Sequence, residues 1–279
     1  MILNVYKEQD MTSRDVVNIL GKHFHTKKVG HTGTLDPLAY GVLIICFNED
    51  TKFVELLTAK TKEYIATMRL GMRTDTCDIT GQVLETKPYT VNETLIKNTL
   101  KSMLGESIQT VPIYSAVKIN GKKLYEYARA GQSIELPKRT IHIYDIELLE
   151  YHDDTIKFRV EVSKGTYIRS LIEDIALKLN TLGTMTDLVR TKQGNFNIQN
   201  SDKISSILED NYHEITHDYL FKDYPKLELD YNTYIKVSNG VKLPFSYTDD
   251  IIALTYQNNY IALYLSLIHI WRCRRLVEC

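Results

Sequence analysis

The densest concentration of chemically capable side chains lies in one run, Lys27-Lys28-Val29-Gly30-His31-Thr32-Gly33-Thr34-Leu35-Asp36-Pro37-Leu38-Ala39-Tyr40-Gly41. It holds two Lys, one His, three hydroxyl side chains counting Tyr40, and a single carboxylate, Asp36, whose backbone is restricted by the Pro that follows it. Three Gly and one Pro make it read as a loop, and a loop of that length inside a compact domain usually serves a function. An isolated Asp-Pro pair is an ordinary turn and carries little by itself. A second cluster is Val162-Ser163-Lys164-Gly165-Thr166-Tyr167-Ile168-Arg169, where a strand ends in a Gly and a helix begins. Arg169 falls one helical position beyond the exposed first turn, so it can face inward, and a buried Arg needs a partner. An opposite charge beside a carboxylate favours the charged form. With Tyr64 and Tyr167 these residues describe a pocket with an Asp–Arg pair and aromatic walls, and they name no substrate.

Elements must hold those clusters in place. A strand over Ile2–Tyr6 leads to Thr12-Ser13-Arg14-Asp15, a capping-box start for a helix whose apolar face is Val16, Val17, Ile19 and Leu20. A short helix is expected around Thr51–Lys60. Lys62–Leu70 alternates Tyr64, Ala66, Met68 and Leu70 against Ile65, Thr67 and Arg69, the pattern of a strand. Thr90-Val91-Asn92-Glu93 is expected to open a helix that Gly105 closes. Asn120-Gly121 marks a hairpin turn after a strand over Ile113–Lys118. Strands near Thr140–Tyr151 and Thr155–Ser163 flank a turn at His152-Asp153-Asp154, and a helix is expected from about Thr166 to Leu179. After residue 200 a helical stretch at Ser205–Asp210 gives way to Tyr-rich, acidic strands with turn signals at Asn239-Gly240 and Asn258-Asn259. These patterns imply a mixed α/β body (α+β, with a mainly antiparallel sheet) over 1–200 and a small appended β module.

Composition narrows the class. At 279 residues, 43% hydrophobic and 25% charged, the chain is that of an ordinary globular protein, not a disordered, collagen-like or disulfide-scaffold one. Its longest clean apolar run, Tyr40–Phe47, is far short of the roughly 20 residues a membrane span needs, and the N-terminus carries no signal-peptide pattern. A cytoplasmic location is therefore expected, with no membrane partner. Residues 1–200 carry 26 basic and 24 acidic side chains and residues 201–264 carry 5 and 10, so charge alone does not point to a nucleic-acid partner. Gly30-His31-Thr32-Gly33 lacks the context of a dinucleotide-binding loop. Cys46 and Cys77 have no Cys-x-x-Cys spacing and no nearby His cluster, so no metal site is expected and both read as reduced packing residues. Trp271, Cys273, Cys279 and three Arg crowd the last nine residues. Leu265–Ile270 followed by Trp-Arg-Cys-Arg-Arg resembles the translation of a transposon-end adapter, so 265–279 is expected to be a non-native tail, with a basic RNA-binding tail as the alternative.

At this point a family resemblance emerges. Lys28–Pro37 closely resembles the signature loop of the TruB family, the bacterial tRNA pseudouridine-55 synthases. The match continues in register through Arg69–Thr76, Tyr114–Gly121, Leu124–Arg129 and Ser163–Arg169, covering about residues 1–200. The resemblance implies the pseudouridine-synthase fold with a catalytic cleft over 1–200, an RNA-gripping insertion at about 112–140, and an incomplete PUA-like RNA-binding module over 201–264. It implies isomerisation of uridine 55 in the T-loop of tRNA, without metal or other cofactor, by a monomer that needs no protein partner. The N1–C1′ bond breaks, the uracil turns, and C5 bonds to C1′.

Carried over residue by residue, Asp36 matches the catalytic carboxylate, with attack at C6, attack at C1′ and removal of a sugar proton all open to it. Arg169 matches its ion-pair partner, and Tyr64 the aromatic residue that stacks on the target base. Tyr167 and Leu188 match further base-pocket residues, and His31 the loop His that fills the space left by the flipped nucleotide. Lys28, Lys118, Lys122 and Lys123 are expected on the RNA backbone. Tyr40, Ile44, Asn48, Val111, Asn180, Leu182 and Thr184 depart from the family pattern. The alternative role is a non-catalytic tRNA-binding or tRNA-folding protein on the same scaffold. A guide-RNA-dependent relative shares the loop but is disfavoured by the insertion at Tyr114–Arg139.

Overall fold

The strand Lys62–Leu70 organises the molecule, because its alternation turns Lys62, Tyr64, Ala66, Met68 and Leu70 to one buried face. The computed structural model describes residues 1–58, 60–241, 251–267 and 270–275. Within them Lys62–Leu70 pairs antiparallel on one side with Thr155–Val162, which alternates likewise, and on the other with Gly183–Gln193. The sheet then runs outward through Lys138–His152 to the edge strand Gly105–Thr110. On its other flank it runs through Tyr40–Phe47 and Ile2–Lys7 to the short strand Asp202–Lys203. Only the contacts of Gly183–Gln193 with Tyr40–Phe47 and of Ile2–Lys7 with Asp202–Lys203 are parallel, so the sheet is mainly antiparallel, as expected.

Two layers cover this sheet. Helix Ile168–Lys178 lays Leu171, Ile172, Ile175 and Ala176 on the face that carries Tyr64, Ala66, Met68 and Phe158. Helix Ser13–His23 begins at the expected capping box, in which the Thr12 hydroxyl accepts from Asp15 N and the Asp15 carboxylate accepts from Thr12 N. It packs Val16, Val17 and Leu20 against Leu3, Val5, Leu43, Ile45 and Phe47. The other side chains of Tyr40–Phe47, namely Val42, Ile44 and Cys46, face Phe53, Phe221 and Leu263. The run is continuously apolar because this strand is buried on both faces.

The second half of the chain differs from expectation in places. The helix after Thr90 is Glu93–Lys101, capped at Asn92, whose side chain accepts from Leu95 N. It stops before Gly105, which instead opens strand Gly105–Thr110 at φ +94°, so the last turn drawn from periodicity belongs to a connection. No strand covers Ile113–Lys118. Only Lys118–Ile119 pairs, with Lys122–Lys123, across Asn120 (φ +52°) and Gly121 (φ +81°), a turn of the kind Asn-Gly favours. Gly183–Gln193 was not foreseen, because two bulges, between Met185 and Asp187 and between Arg190 and Lys192, interrupt its alternation.

Beyond residue 200, helices His217–Phe221 and Tyr231–Ser238 accompany a sheet of Lys226–Glu228, Ile251–Tyr256, Asn259–Leu267 and Ile270–Arg275. The expected turn at Asn239-Gly240 is the C-terminal end of Tyr231–Ser238 rather than a hairpin. The hairpin signal near Asn258 holds, with Gln257 and Asn258 both at positive φ. The expected module boundary at residue 264 falls inside strand Asn259–Leu267, and Ile270–Arg275 pairs with that strand, while 268–269 and 276–279 lie outside the described residues. Phe221 joins this part to the body by edge-on contact with Phe53, the ring centroids lying 5.2 Å apart.

Candidate active site

The loop that carries Asp36 is fastened on both sides of it. Upstream, Gln193 Nε2 donates to the Thr32 hydroxyl at 2.6 Å, Arg190 Nη2 donates to Gly33 O at 3.2 Å, and the Ser13 hydroxyl accepts from Leu35 N at 2.8 Å. Downstream, Asp10 N donates to Pro37 O at 2.9 Å and Lys7 Nζ donates to Ala39 O at 2.6 Å. Ala39 N closes a turn on Asp36 O at 3.0 Å. Lys7 is fully buried, and burial pushes its ammonium down to about 8. The segment expected to be loop throughout contains a short strand, Val29–His31, paired with Ile45–Phe47. Where it joins the sheet, Gly41 sits at φ +100° against Arg190, and a Cβ there would run into the Arg190 carbonyl.

Asp36 is thus presented by a rigid bend, and Arg169 meets it. Arg169 Nε lies 2.9 Å from Asp36 Oδ2. Its Nη1 donates to Thr76 O at 3.0 Å and its Nη2 to Tyr114 O at 2.9 Å. The Arg169 side chain is 5% exposed and that of Asp36 38%, so the cation is buried and the carboxylate remains accessible from the cleft. A guanidinium with every nitrogen engaged in a flat fork is a fixed object, and it fixes the carboxylate it holds.

The cleft beside them has a volume of about 230 Å³ and is lined by Asp36, Tyr64, Tyr167, Arg169 and Leu188 together with Lys62, Lys164 and Arg190. The sheet register explains the grouping. Tyr64 stands opposite Arg190 and Ala66 opposite Leu188, so two neighbouring strands deliver Tyr64, Leu188 and Arg190 to one wall. Tyr167 caps helix Ile168–Lys178 from the far side, where Gln109 holds both its N–H and its carbonyl, and Arg139 lies 5.3 Å from its ring centroid.

Of the residues singled out by sequence, Asp36, Tyr64, Tyr167, Arg169 and Leu188 come together in this cleft. His31 does not line it; its Nδ1 accepts from Gly33 N at 3.3 Å, and burial with the nearby Arg14 and Arg190 charges lowers its pKa. Lys28 pairs with Glu49 on the surface. Lys118, Lys122 and Lys123 sit on the hairpin of the 112–140 segment, with Lys122 4.6 Å over the Tyr127 ring and Lys123 5.3 Å over Tyr125. Tyr40 turns away from the cleft and donates to Asp187 Oδ2 at 3.2 Å. Burial pushes the Cys46 and Cys77 thiols up to about 12, which suits packing residues.

Sequence reading missed Lys62, Arg190 and Gln193. Lys62 carried a usable signal, since it lies in phase with Tyr64 and Ala66 on the buried face of its strand. Arg190 lies two residues beyond Leu188 on a strand that was not recognised, and nothing local marks Gln193.

Comparison with known proteins agrees with this geometry. Residues 21–168 match the model of the TruB family pseudouridylate synthase N-terminal domain. The tRNA pseudouridine synthase B of Clostridium tetani is 45% identical over 245 residues, spanning 87% of this chain and 85% of that protein. The protein of the same name from Latilactobacillus sakei is 41% identical, spanning 94% and 92%. Among solved structures, a Cbf5-Nop10-Gar1 complex superposes with a TM-score of 0.72 at 27% identity, covering all of this chain and 84% of that one. An H/ACA RNP bound to a substrate RNA containing 2′-deoxyuridine superposes at 0.71 with 25% identity, covering 98% and 83%. A buried Arg169 fork on an accessible Asp36, beside a wall of Tyr64 and Leu188, is thus housed in a pseudouridine-synthase fold, and the chain belongs to the TruB family of pseudouridylate synthases.

Proposed function

We propose that this protein is a tRNA pseudouridine synthase that isomerises uridine 55 in the T-loop of tRNA, with Asp36 as its catalytic carboxylate. The observation that carries the reading is the Asp36–Arg169 pair facing a cleft with an aromatic wall. Binding alone gives no use for a rigidly held carboxylate beside a base pocket, which favours catalysis over the alternative of an RNA-binding protein without chemistry. The reaction is balanced within the nucleotide: the N1–C1′ bond breaks, the C5–C1′ bond forms, the proton lost from C5 is matched by one gained at N1, and no electrons are exchanged. The isomerisation therefore calls for no redox cofactor.

The chain's own residues then have defined work. The target uridine leaves its stack, and the few kcal/mol of unstacking are partly offset by the Tyr64 face and the Leu188 side chain. Asp36 acts at the reacting carbons, and its fixed position removes the cost of reorienting it as charge develops. Arg169 positions Asp36, Tyr167 completes the pocket, and His31 stands by the loop to fill the gap in the RNA. Lys28, Lys118, Lys122 and Lys123 reach the RNA backbone, the last three from the 112–140 insertion. In the same reading 1–200 is the catalytic domain, 201–264 is a PUA-like module and 265–279 is foreign. No helix among the described residues is long and apolar enough to cross a membrane. The reading places the enzyme in the cytoplasm as a monomer.

The test is pseudouridine formation at position 55 of an unmodified tRNA transcript, wild type beside Asp36→Asn. Product with the first and none with the second, at equal tRNA binding, is expected. Wild type that binds tRNA without forming product overturns the catalytic reading.

A further inference from the structure

The cleft holds more positive charge than its chemistry uses. Asp36 already has Arg169, yet Lys62, Lys164 and Arg190 line the same cavity with no carboxylate partner among the described residues. Arg190 is fully buried; its Nε donates to Val42 O at 2.7 Å and its Nη2 to Gly33 O, while Nη1 has no hydrogen-bond partner among the described residues. Lys62 is 7% exposed, and the one hydrogen bond its ammonium makes among the described residues, to Thr58 O, is long at 3.3 Å. Burial pushes the Lys62 ammonium down to about 8, and the charges that act on it, Arg190 and Lys164, are both cationic and push the same way. Lys164 stands exposed at the rim with no hydrogen bond or ion pair among the described residues. Gly33 leaves a gap between the two buried cations: a Cβ there would lie 3.5 Å from Lys62 Cε and 3.9 Å from Arg190 Nη1.

Burying like charges side by side is unfavourable, and an orphaned guanidinium N–H inside a protein is costly. Both are relieved by one event, arrival of an anion. The neutral part of the ligand is already accounted for by Tyr64, Leu188 and Asp36, so the anion must be attached to the nucleoside that lies there. We propose that Lys62, Arg190 and Lys164 form a phosphate subsite that holds a backbone phosphodiester adjoining the flipped uridine. The proposal rests on the RNA-modifying reading of the cleft and deepens it: the enzyme recognises its target as a nucleotide within a strand, not as a base alone. Phosphate capture of this kind acts before and during the reaction alike, so it lowers KM and leaves kcat nearly unchanged.

The test uses T-arm stem-loop RNAs in which the linkage 5′ or 3′ of the target uridine is an uncharged methylphosphonate. With wild-type protein, neutralising one of these linkages is expected to raise KM about tenfold, the worth of one charge-assisted hydrogen bond, with kcat little changed. Lys62→Met is expected to lose the same factor on unmodified RNA and nothing further on the neutralised RNA, and Lys62→Arg to restore most of it. Unchanged KM at both linkages overturns the proposal, as do losses from Lys62→Met and from neutralisation that multiply. The linkage arm needs no variant, so a poorly folding Lys62→Met leaves it intact. If wild type forms no pseudouridine on unmodified RNA, the functional reading fails separately. Fluorescence-anisotropy affinities for the charged and neutralised RNAs then decide the subsite alone.

Discussion

Arg169 is held by Asp36, Thr76 and Tyr114 at once, and through it the loop after helix Ser13–His23, the turn after Thr74 and the start of the 112–140 insertion converge on one guanidinium. The pair is therefore a structural junction as well as the centre of the proposed active site. Its geometry depends on three nitrogens in a plane.

Arg169→Lys keeps the charge and loses the fork. It leaves at least one of Thr76 O and Tyr114 O unpaired, so stability is expected to fall by about 1–3 kcal/mol and kcat by about a hundredfold or more. Thermal melting and single-turnover kinetics check this, and a Lys variant with wild-type kcat would contradict the positioning role.

Ser13 touches no substrate, yet its hydroxyl accepts from Leu35 N and donates to Leu35 O, one residue before Asp36. Ser13→Ala is expected to lower kcat several-fold with KM nearly unchanged, at a stability loss of about 1–2 kcal/mol. A variant that changes KM alone would show that the loop is not held by this contact.

Tyr64 is 6% exposed and belongs to the core as well as the cleft. Tyr64→Phe retains the ring face, whereas Tyr64→Ala removes it and costs about 3–5 kcal/mol as a buried aromatic truncation. Stability is therefore measured beside turnover, and the stacking role requires that Tyr64→Phe keep its affinity for the T-arm RNA.

Lys62 sets a pH signature on the free protein. Its ammonium is pushed down to about 8 from an ordinary 10.5, so between those values the unfolded chain binds more protons than the folded one and stability rises with pH. Relative to wild type, Lys62→Met is expected to gain up to about 3 kcal/mol below pH 8, an advantage that shrinks to a constant above pH 10.5. Denaturant unfolding of both proteins from pH 7 to 11 reads this directly, and a difference independent of pH would mean the burial of Lys62 is relieved in solution.

Much of the site could be read from the chain because its parts are local. The Lys28–Pro37 loop, the helix start at Arg169 and the strand bearing Tyr64 each announce themselves within about ten residues, and the capping box at Thr12–Asp15 sets the first helix as expected. Leu188 came from resemblance alone, because bulges blur the alternation of Gly183–Gln193. The end of the helix at Lys101 and the strand expected over Ile113–Lys118 were misjudged where packing, not periodicity, decides how far an element runs, although the Asn120-Gly121 turn fell where expected.

Residue types and spacing alone marked the Lys27–Gly41 loop, an Asp36–Arg169 pair and aromatic walls; the family, and a catalytic role for Asp36, came from resemblance. Tertiary structure decided which cations share the cleft. Lys62, Lys164 and Arg190 come from separate stretches of chain, and only the pairing of Lys62–Leu70 with Gly183–Gln193, and the turn before helix Ile168–Lys178, brings them to one cavity. The physical reason is that burial is collective. The phase of Lys62 in its strand hints at its own burial, but only two neighbouring strands and a helix set other positive charges beside it, and no pattern along the chain records that meeting.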